Sequence, residues 1–141
     1  MTDMKTLIAG QTADSINALW PEAQGLPAAE EIRGLLETPP NKEMGDYAFP
    51  CFKLSKALRM PPVKIAEALC AGWSHGDTAE AKPVKGYMNF FLNRVNFART
   101  AMEDLLSAGE RYGASDMGAG KTMCLDYSSI NIAKRFHIGH L

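Results

Sequence analysis

Prolines divide this chain into short segments. Pro21, the pair Pro39-Pro40 and the pair Pro61-Pro62 each follow a stretch that favours regular structure. Because proline lacks a backbone N–H and its ring clashes with the preceding turn, a helix ends before it unless the proline occupies the first turn. The first segment, residues 2–20, is therefore predicted to be a helix that begins at a cap on Asp3 and ends before Pro21.

The two segments that follow are less uniform. Residues 27–38 have helical composition, but their apolar residues also alternate as in a strand, so both interpretations stay open at this point. Residues 49–60 predict a short helix in which Pro50 occupies the first helical position. A second helix is predicted over residues 62–72, and the two helices would form a hairpin.

The hydrophobic period changes from helical to alternating near residue 79. The pattern predicts an edge strand at 79–84, a turn at Lys85-Gly86 and an aromatic-rich strand at 87–93. Side chains of a strand point alternately to opposite faces, so Tyr87, Asn89 and Phe91 share one face of this strand.

A helix and a linker are predicted after these strands. The helix covers residues 95–108 and ends at Gly109, and four of its apolar residues are predicted to be buried: Phe97, Met102, Leu105 and Leu106. Residues 107–121 are rich in Gly, Ala, Ser and Asp, which is typical of a linker. We place a boundary near Gly118, which divides the chain into domains at 1–118 and 119–141.

The composition is that of one globular domain with the remnant of a second. The chain has 141 residues, 46% of them hydrophobic, so its core needs neither a disulfide nor a metal. Its formal charge of -1 argues against a protein that binds polyanions over its whole surface. A local basic patch is compatible with the sequence, because residues 42–64 contain five basic residues and two acidic ones.

The cysteines and the apolar runs limit the cellular setting. Cys51, Cys70 and Cys124 are odd in number and lack C-x-x-C spacing, so we expect reduced thiols and no metal site. No apolar run approaches the roughly 20 residues that span a bilayer, and Asp3 and Lys5 interrupt any signal-like run at the N-terminus. We therefore expect a cytoplasmic protein without a membrane span.

The last residues contain a short motif of nucleotide chemistry. His137-Ile138-Gly139-His140 follows a predicted strand at 122–127. If a helix begins at the glycine, both imidazoles and the first backbone N–H groups can approach a phosphate. Alone, H-x-G-H occurs more often as ordinary structural sequence than as a nucleotide site.

The surrounding residues give this motif a context. The stretch D-Y-S-S-I-N-I-A-K-R-F-H-I-G-H-L at 126–141 resembles the class I signature of arginyl-tRNA synthetases, in which S-S-P-N-x-A-K precedes H-x-G-H-L. G-D-Y-A at 45–48 with F-K-L-S-K at 52–56 resembles a stretch of that family's N-terminal additional domain. G-Y-M-N-F-F-L at 86–92 resembles its G-[FY]-[IL]-N strand. Three motifs in the family's order cover almost the whole chain, which makes the resemblance specific.

The resemblance implies a fold as well as a function. It implies an α+β domain, a small antiparallel sheet with helices packed on one face, followed by the first strand and loop of a truncated Rossmann domain that begins at Thr122. It also implies that residues 31–37 form a strand, against their helix propensity.

Five residues are candidates for RNA contact. Tyr87 and Asn89 match family positions that contact a base of the tRNA D-loop, and an amide can bond a base edge bidentately while a ring stacks on an unpaired base. The alternative is that Tyr87 and Phe91 belong to the core and Asn89 satisfies a turn. Lys53 and Lys56, with Arg59, recur every third residue on the predicted helix and could meet phosphates, although a solvated helix face is the commoner explanation.

A second set of residues matches the family's catalytic site. The resemblance implies that His137, His140 and Lys134 bind the phosphates of ATP during catalysis, and that Gly139 leaves room for adenine. It implies that Asn131 and Ser129 bind arginine. Ile130 stands where the family often has proline, which affects the rigidity of the loop.

We therefore interpret the chain as the N-terminal part of a class I aminoacyl-tRNA synthetase. The parent would be an arginine–tRNA ligase, a monomer that uses ATP with Mg²⁺, L-arginine and tRNA(Arg). The 141 residues alone would be inactive and would bind no cofactor tightly, because such a site needs a complete parallel sheet. One alternative is a free-standing RNA-binding module with a vestigial signature, which a natural end at Leu141 would favour. Another is a small nucleotidyltransferase, which would lack the G-D-Y-A and G-Y-M-N stretches.

Overall fold

The computed structural model describes residues 3–126 together with Arg135 and Ile138. Its helices and strands, in chain order, are α1 (Met4–Leu19), α2 (Ala29–Leu35), β1 (Tyr47–Pro50), α3 (Ser55–Leu58), α4 (Pro62–Ala71), β2 (Ala79–Val84), β3 (Tyr87–Leu92) and α5 (Arg94–Ala108). Short 3-10 helices occupy Lys42–Met44, Cys51–Lys53 and Gly109–Arg111.

The three strands form one antiparallel sheet in the order β1-β3-β2. The two-residue turn between β2 and β3 has positive φ at both positions, 47° at Lys85 and 84° at Gly86, as a tight hairpin requires. Both predicted strands and their turn are therefore confirmed, and β2 lies at an edge of the sheet as predicted.

Helices α1 and α4 pack on one face of this sheet. Phe49 of β1 and Met88 and Phe90 of β3 have no exposed surface, and they share a hydrophobic core with Ile8 and Ile16 of α1 and Ile65 and Leu69 of α4. Burial of these side chains stabilises the fold by roughly 1.5–3 kcal/mol each. The predicted α+β class with a small antiparallel sheet is confirmed.

The first helix begins at Asp3, as predicted, because the Asp3 carboxylate accepts from the backbone N–H of Lys5 at 3.1 Å. Hydrogen bonds from Thr6 and then Arg33 hold the pKa of Asp3 below its ordinary value. The buried face of α1 also contains Thr12, whose hydroxyl donates to the carbonyl of Ile8 at 2.7 Å. A hydroxyl satisfied within its own helix can be buried at little cost.

Residues 31–37 do not form the strand that the resemblance implied. They belong to α2 and its C-terminal end, in which Ile32 and Leu36 both face the core at the i,i+4 spacing of a helix. Pairing with the sheet is limited to Glu37, which exchanges backbone hydrogen bonds with Ala48 at 3.0 and 2.9 Å. Helix propensity and the i,i+4 apolar pair outweigh the alternation in this segment.

The helix predicted over residues 49–60 is also wrong in its first half. Pro50 is the last residue of β1, with φ -78° and ψ 97°, and the helix proper covers only Ser55–Leu58. Proline is tolerated there because β1 is an edge strand. The three basic residues predicted on one helix therefore lie on different elements. Lys53 is in a 3-10 turn, Lys56 is on α3, and Arg59 is its C-terminal cap.

The last helix has its predicted bounds to within a residue but not its predicted burial. Phe97, Met102, Leu105 and Leu106 are 40%, 55%, 40% and 73% exposed, and no residue of α5 is buried. The reason is that α5 has no partner element covering its apolar residues within the described part of the chain. Residues 122–126 are in no strand, so the start of a Rossmann domain stays a prediction.

Candidate nucleic-acid interface

The register of the sheet defines a second face, opposite the one that packs on α1 and α4. Residues directly paired in antiparallel strands project to the same side. Asn89 is paired with Ala48 on one side and Lys82 on the other, and Tyr87 is paired with Pro50 and Val84. We call this side, which also holds Phe91, the open face.

The open face holds a pocket of about 230 Å³. It is enclosed by the segment at 37–40, by Met44 and Ala48, and by the β2–β3 hairpin through Val84, Lys85, Tyr87 and Asn89. The pocket is therefore lined by both residues for which the family resemblance implied base contact, Tyr87 and Asn89.

Asn89 is the polar group at the base of this pocket. Its side chain is 1% exposed, and its amide nitrogen donates to the carbonyl of Met44 at 2.7 Å. That bond sets the orientation of the amide, because a carbonyl can only accept. Among the described residues no donor reaches Asn89 Oδ1. Asn89 Oδ1 is thus an acceptor available to a ligand, and the amide nitrogen has a second N–H besides the one donated to Met44, so the bidentate contact predicted for Asn89 stays a prediction.

Tyr87 forms one wall and is half-buried. Its ring meets the ring of Phe52 edge to face, with centroids 5.7 Å apart and an interplanar angle of 80°. Phe52 itself is 45% exposed. No sequence pattern predicted Phe52 as a site residue, because its position beside Tyr87 depends on the approach of the 3-10 turn to the hairpin.

Several lysines surround the pocket and the rings. Lys85 lines the pocket, Lys82 Nζ lies 4.9 Å from the centroid of Phe91, and Lys53 Nζ lies 5.9 Å from that of Phe52. Lys82 also pairs with Glu80 at 3.3 Å, while Lys56 is exposed on α3. Sequence reasoning missed Lys82 and Lys85. The alternation of β2, which places Lys82 on the face of Asn89, could have identified the first.

The loop before β1 positions the Met44 carbonyl that holds Asn89. Gly45 has φ 103°, and a Cβ built there would lie 2.6 Å from the Phe90 carbonyl oxygen. The Asp46 carboxylate accepts from the Leu92 N–H at 2.9 Å and from the Arg94 guanidinium at 2.6 Å. The loop is therefore tied to the C-terminal end of β3 and to the N-terminal end of α5.

The candidate residues for ATP and arginine, namely Ser129, Asn131, Lys134, His137, Gly139 and His140, lie outside the described residues, so their roles stay predictions. Within 3–126, no three His, Cys, Asp or Glu side chains gather as a metal site would require. In the same part of the chain, no helix is both long and apolar enough to cross a membrane.

The fold and the open face define a small α+β domain that presents aromatic rings, an amide acceptor and lysines around one pocket. Comparison with known proteins then identifies its family. Residues 5–92 match the arginyl-tRNA synthetase N-terminal domain, and the chain belongs to this family.

Relatives and a solved structure agree with this assignment. An arginine–tRNA ligase of Clostridioides difficile is 44% identical over the full length of this chain, and one of Alkaliphilus metalliredigens is 47% identical over 79% of it. The chain spans only 24% and 20% of these two relatives. Arginyl-tRNA synthetase of Thermus thermophilus superposes with a TM-score of 0.52 at 29% identity, over 68% of this chain and 15% of that one.

Proposed function

We propose that this chain is the N-terminal part of an arginine–tRNA ligase, a cytoplasmic enzyme that joins L-arginine to tRNA(Arg) through an arginyl-adenylate made from ATP with Mg²⁺. The family match and the relatives that carry this name support the proposal. The similarity to the Clostridioides difficile relative extends over the whole chain, which includes the signature residues at 126–141.

Within this enzyme, residues 1–118 dock the D-loop at the elbow of the tRNA. The observation that carries this part of the proposal is the buried acceptor of Asn89 at the base of an open pocket. A buried polar atom without a partner costs roughly 1–3 kcal/mol, and a base that donates an N–H to it removes that cost. Bases of single-stranded RNA loops can enter such a pocket because they are not held in a duplex.

The other groups of the open face supply the remaining contacts. Tyr87 offers a ring on which the base can stack, and Lys85 lies at the rim, where it can meet a phosphate. Phe91 is covered by the Lys82 ammonium, so its contribution is to hold that charge on the open face. Lys53 and Lys56 extend the positive surface along one edge.

Residues 119–141 begin the catalytic domain in this proposal. His137, His140 and Lys134 bind the phosphates of ATP, Gly139 leaves space for adenine, and Asn131 with Ser129 binds arginine. Donors directed at phosphate oxygens stabilise the charge that develops when the arginine carboxylate attacks the α-phosphorus. The remainder of the parallel sheet would come from the parent, so these residues do not catalyse adenylation by themselves.

Replacing Asn89 tests the docking role. We expect Asn89→Ala to weaken binding of a fluorescein-labelled tRNA(Arg) transcript by about tenfold, since one hydrogen bond to a base edge is lost. Fluorescence anisotropy measures the affinity, and Asn17→Ala, on an exposed residue of α1, is the matched control. Circular dichroism of both variants checks the fold. Equal affinities for Asn89→Ala and wild type would remove Asn89 from the interface.

A further inference from the structure

We propose a second nucleotide subsite beside the Asn89 pocket, formed by Phe52 and Lys53. In this subsite the base of a neighbouring unpaired nucleotide stacks on the Phe52 ring, and Lys53 contacts its phosphate. The inference rests on the proposed function, because it adds a second nucleotide to the RNA loop that the Asn89 pocket holds.

Phe52 is held outward by its neighbours. Cys51 and Leu54, on either side of the Phe52–Lys53 pair, have no exposed surface, whereas Phe52 is 45% exposed. The backbone N–H of Cys51 donates to the carbonyl of Gly86 at 3.1 Å, which ties the 3-10 turn to the β2–β3 hairpin. An exposed aromatic ring fixed in this way is a stacking platform whose position relative to Tyr87 is set before any ligand arrives.

The angle between the two rings selects the conformation of the RNA. Phe52 and Tyr87 are nearly perpendicular, at 80°, with centroids 5.7 Å apart. Two bases that each lie flat on one of these rings are therefore turned away from each other and do not stack together. The subsite fits adjacent nucleotides splayed apart in a loop, and it does not fit a continuous single-stranded stack.

Lys53 supplies the charge that such a nucleotide requires. Its ammonium lies 5.9 Å from the centre of the Phe52 ring, and the side chain is exposed. Among the described residues, Lys53 forms no ion pair with a carboxylate. At an exposed site a cation–π contact contributes only about 0.5–1 kcal/mol, so the ammonium can move to a phosphate at small cost.

The test combines protein variants with tRNA(Arg) transcripts that each carry one abasic position in the D-loop. Anisotropy titrations use wild type, Phe52→Leu, Asn89→Ala and the matched control Phe97→Leu. Phe97 is 40% exposed, close to the value for Phe52, but lies on α5. Phe52→Trp keeps an aromatic ring and is the rescue variant.

We expect wild type to lose affinity at two adjacent abasic positions. Phe52→Leu should weaken binding of the intact transcript by about fivefold to a hundredfold, the range for the loss of one stacked base. In this variant, the abasic site at one of the two positions should cause no further loss of affinity, so the abasic penalty there disappears. Asn89→Ala should abolish the penalty at the other. Phe97→Leu should stay within twofold of wild type, and Phe52→Trp should restore binding.

Two results would overturn the subsite, and they differ from failure of docking itself. If Phe52→Leu binds like wild type while Asn89→Ala is weakened, docking stands and the subsite does not. If Phe52→Leu is weakened but both abasic penalties persist in it, Phe52 acts by supporting Tyr87 and contacts no base. Wild-type affinity in Asn89→Ala, with no abasic penalty at any position, would contradict the docking proposal as a whole.

Discussion

At the scale of single residues, the fold changes the chemistry of two thiols, the buried one of Cys51 and the half-buried one of Cys70. Burial raises the pKa of Cys51 and of Cys70 from 9.0 to about 12, and for Cys51 the nearby Cys70 adds to the effect. Cys124 is exposed. The folded chain therefore holds two protonated, unreactive thiols at neutral pH.

The difference between the pKa of Cys51 in the unfolded state and in the folded state makes the free energy of unfolding depend on pH above 9. Between pH 9 and 12 the folded state keeps the Cys51 proton that the unfolded state has released, so the free energy of unfolding is full below pH 9 and falls as the pH rises towards 12. One such thiol contributes a decline of at most about 1.4 kcal/mol per pH unit. We expect Cys51→Ala to show a shallower decline than wild type in urea denaturation at several pH values. Identical slopes would contradict the prediction.

For Asn89, the sequence predicted the strand face but not the hydrogen bonds of the side chain. Its residue type and the Tyr-x-Asn spacing placed it with Tyr87 on one strand face, and the register confirms that placement. The bond from Asn89 to the Met44 carbonyl joins residues far apart in the chain. Local patterns contain no information on such a contact, so the number of acceptors left for a ligand could not be predicted.

At the scale of elements, the loop that ends at Gly45 is the most constrained connection. Its backbone approaches β3 so closely that no side chain fits, and the Asp46 N–H donates to the Phe90 carbonyl at 2.7 Å. Positive φ adds a second restriction, because residues with a Cβ are strained there. Movement of this loop would displace the Met44 carbonyl and with it the amide of Asn89.

Replacing two glycines with alanine, one at a time, distinguishes the backbone constraint at Gly45 from the ordinary helix propensity of alanine. We expect Gly45→Ala to destabilise the fold by about 1–3 kcal/mol, from backbone strain and the 2.6 Å approach to the Phe90 oxygen. Gly10→Ala, inside α1 with no neighbouring atom within 4 Å outside its own helix, should instead stabilise it by about 0.5–1 kcal/mol. Urea denaturation measures both changes. Destabilisation of equal size at the two sites would refute the argument.

The elements that sequence predicted correctly are those specified locally. The β2–β3 hairpin follows from alternation and a Lys-Gly turn, and α4 follows from a proline in its first turn. The misassigned segments depend on distant partners. Residues 47–50 form a strand because they pair with β3, and the apolar residues of α5 stay largely exposed because no element of the described chain covers them fully.

At the scale of the whole molecule, the sheet separates two surfaces. One side is covered by α1 and α4, and the open face carries the pocket with Lys82 and Lys85. The formal charge of the chain is only -1. In the proposed docking role, attraction to RNA would come from the local arrangement of lysines and not from the net charge, so we expect few phosphate contacts and modest affinity for the isolated chain.

The salt dependence of tRNA binding tests this arrangement. Removal of one phosphate contact by Lys85→Asn should reduce the slope of log Kd against log salt by about 0.7–0.9. Asparagine also suits the positive φ of 47° at this turn position. Lys5→Asn, on α1 away from the open face, should leave the slope unchanged. Equal slopes for wild type and Lys85→Asn would exclude Lys85 from phosphate contact.

The candidate site as a whole was only partly predictable. Tyr87 and Asn89 came from a strand pattern and a family motif, whereas Phe52, Lys82 and Lys85 join them through the register of the sheet and the approach of the 3-10 turn. These relations are set by tertiary packing. Sequence patterns therefore predicted the residues at the centre of the candidate site and missed others that the structure places around them.

The placement of Asn89 and Tyr87 on the central strand has a thermodynamic consequence. β3 is hydrogen-bonded to a strand on each side, and the turn that carries Phe52 is tied to its hairpin. The conformational entropy of these groups is thus lost when the chain folds and not when RNA binds. Association then has to order chiefly the nucleotides, so differences in affinity among tRNAs would report the flexibility of their D-loops more than any adjustment of the protein.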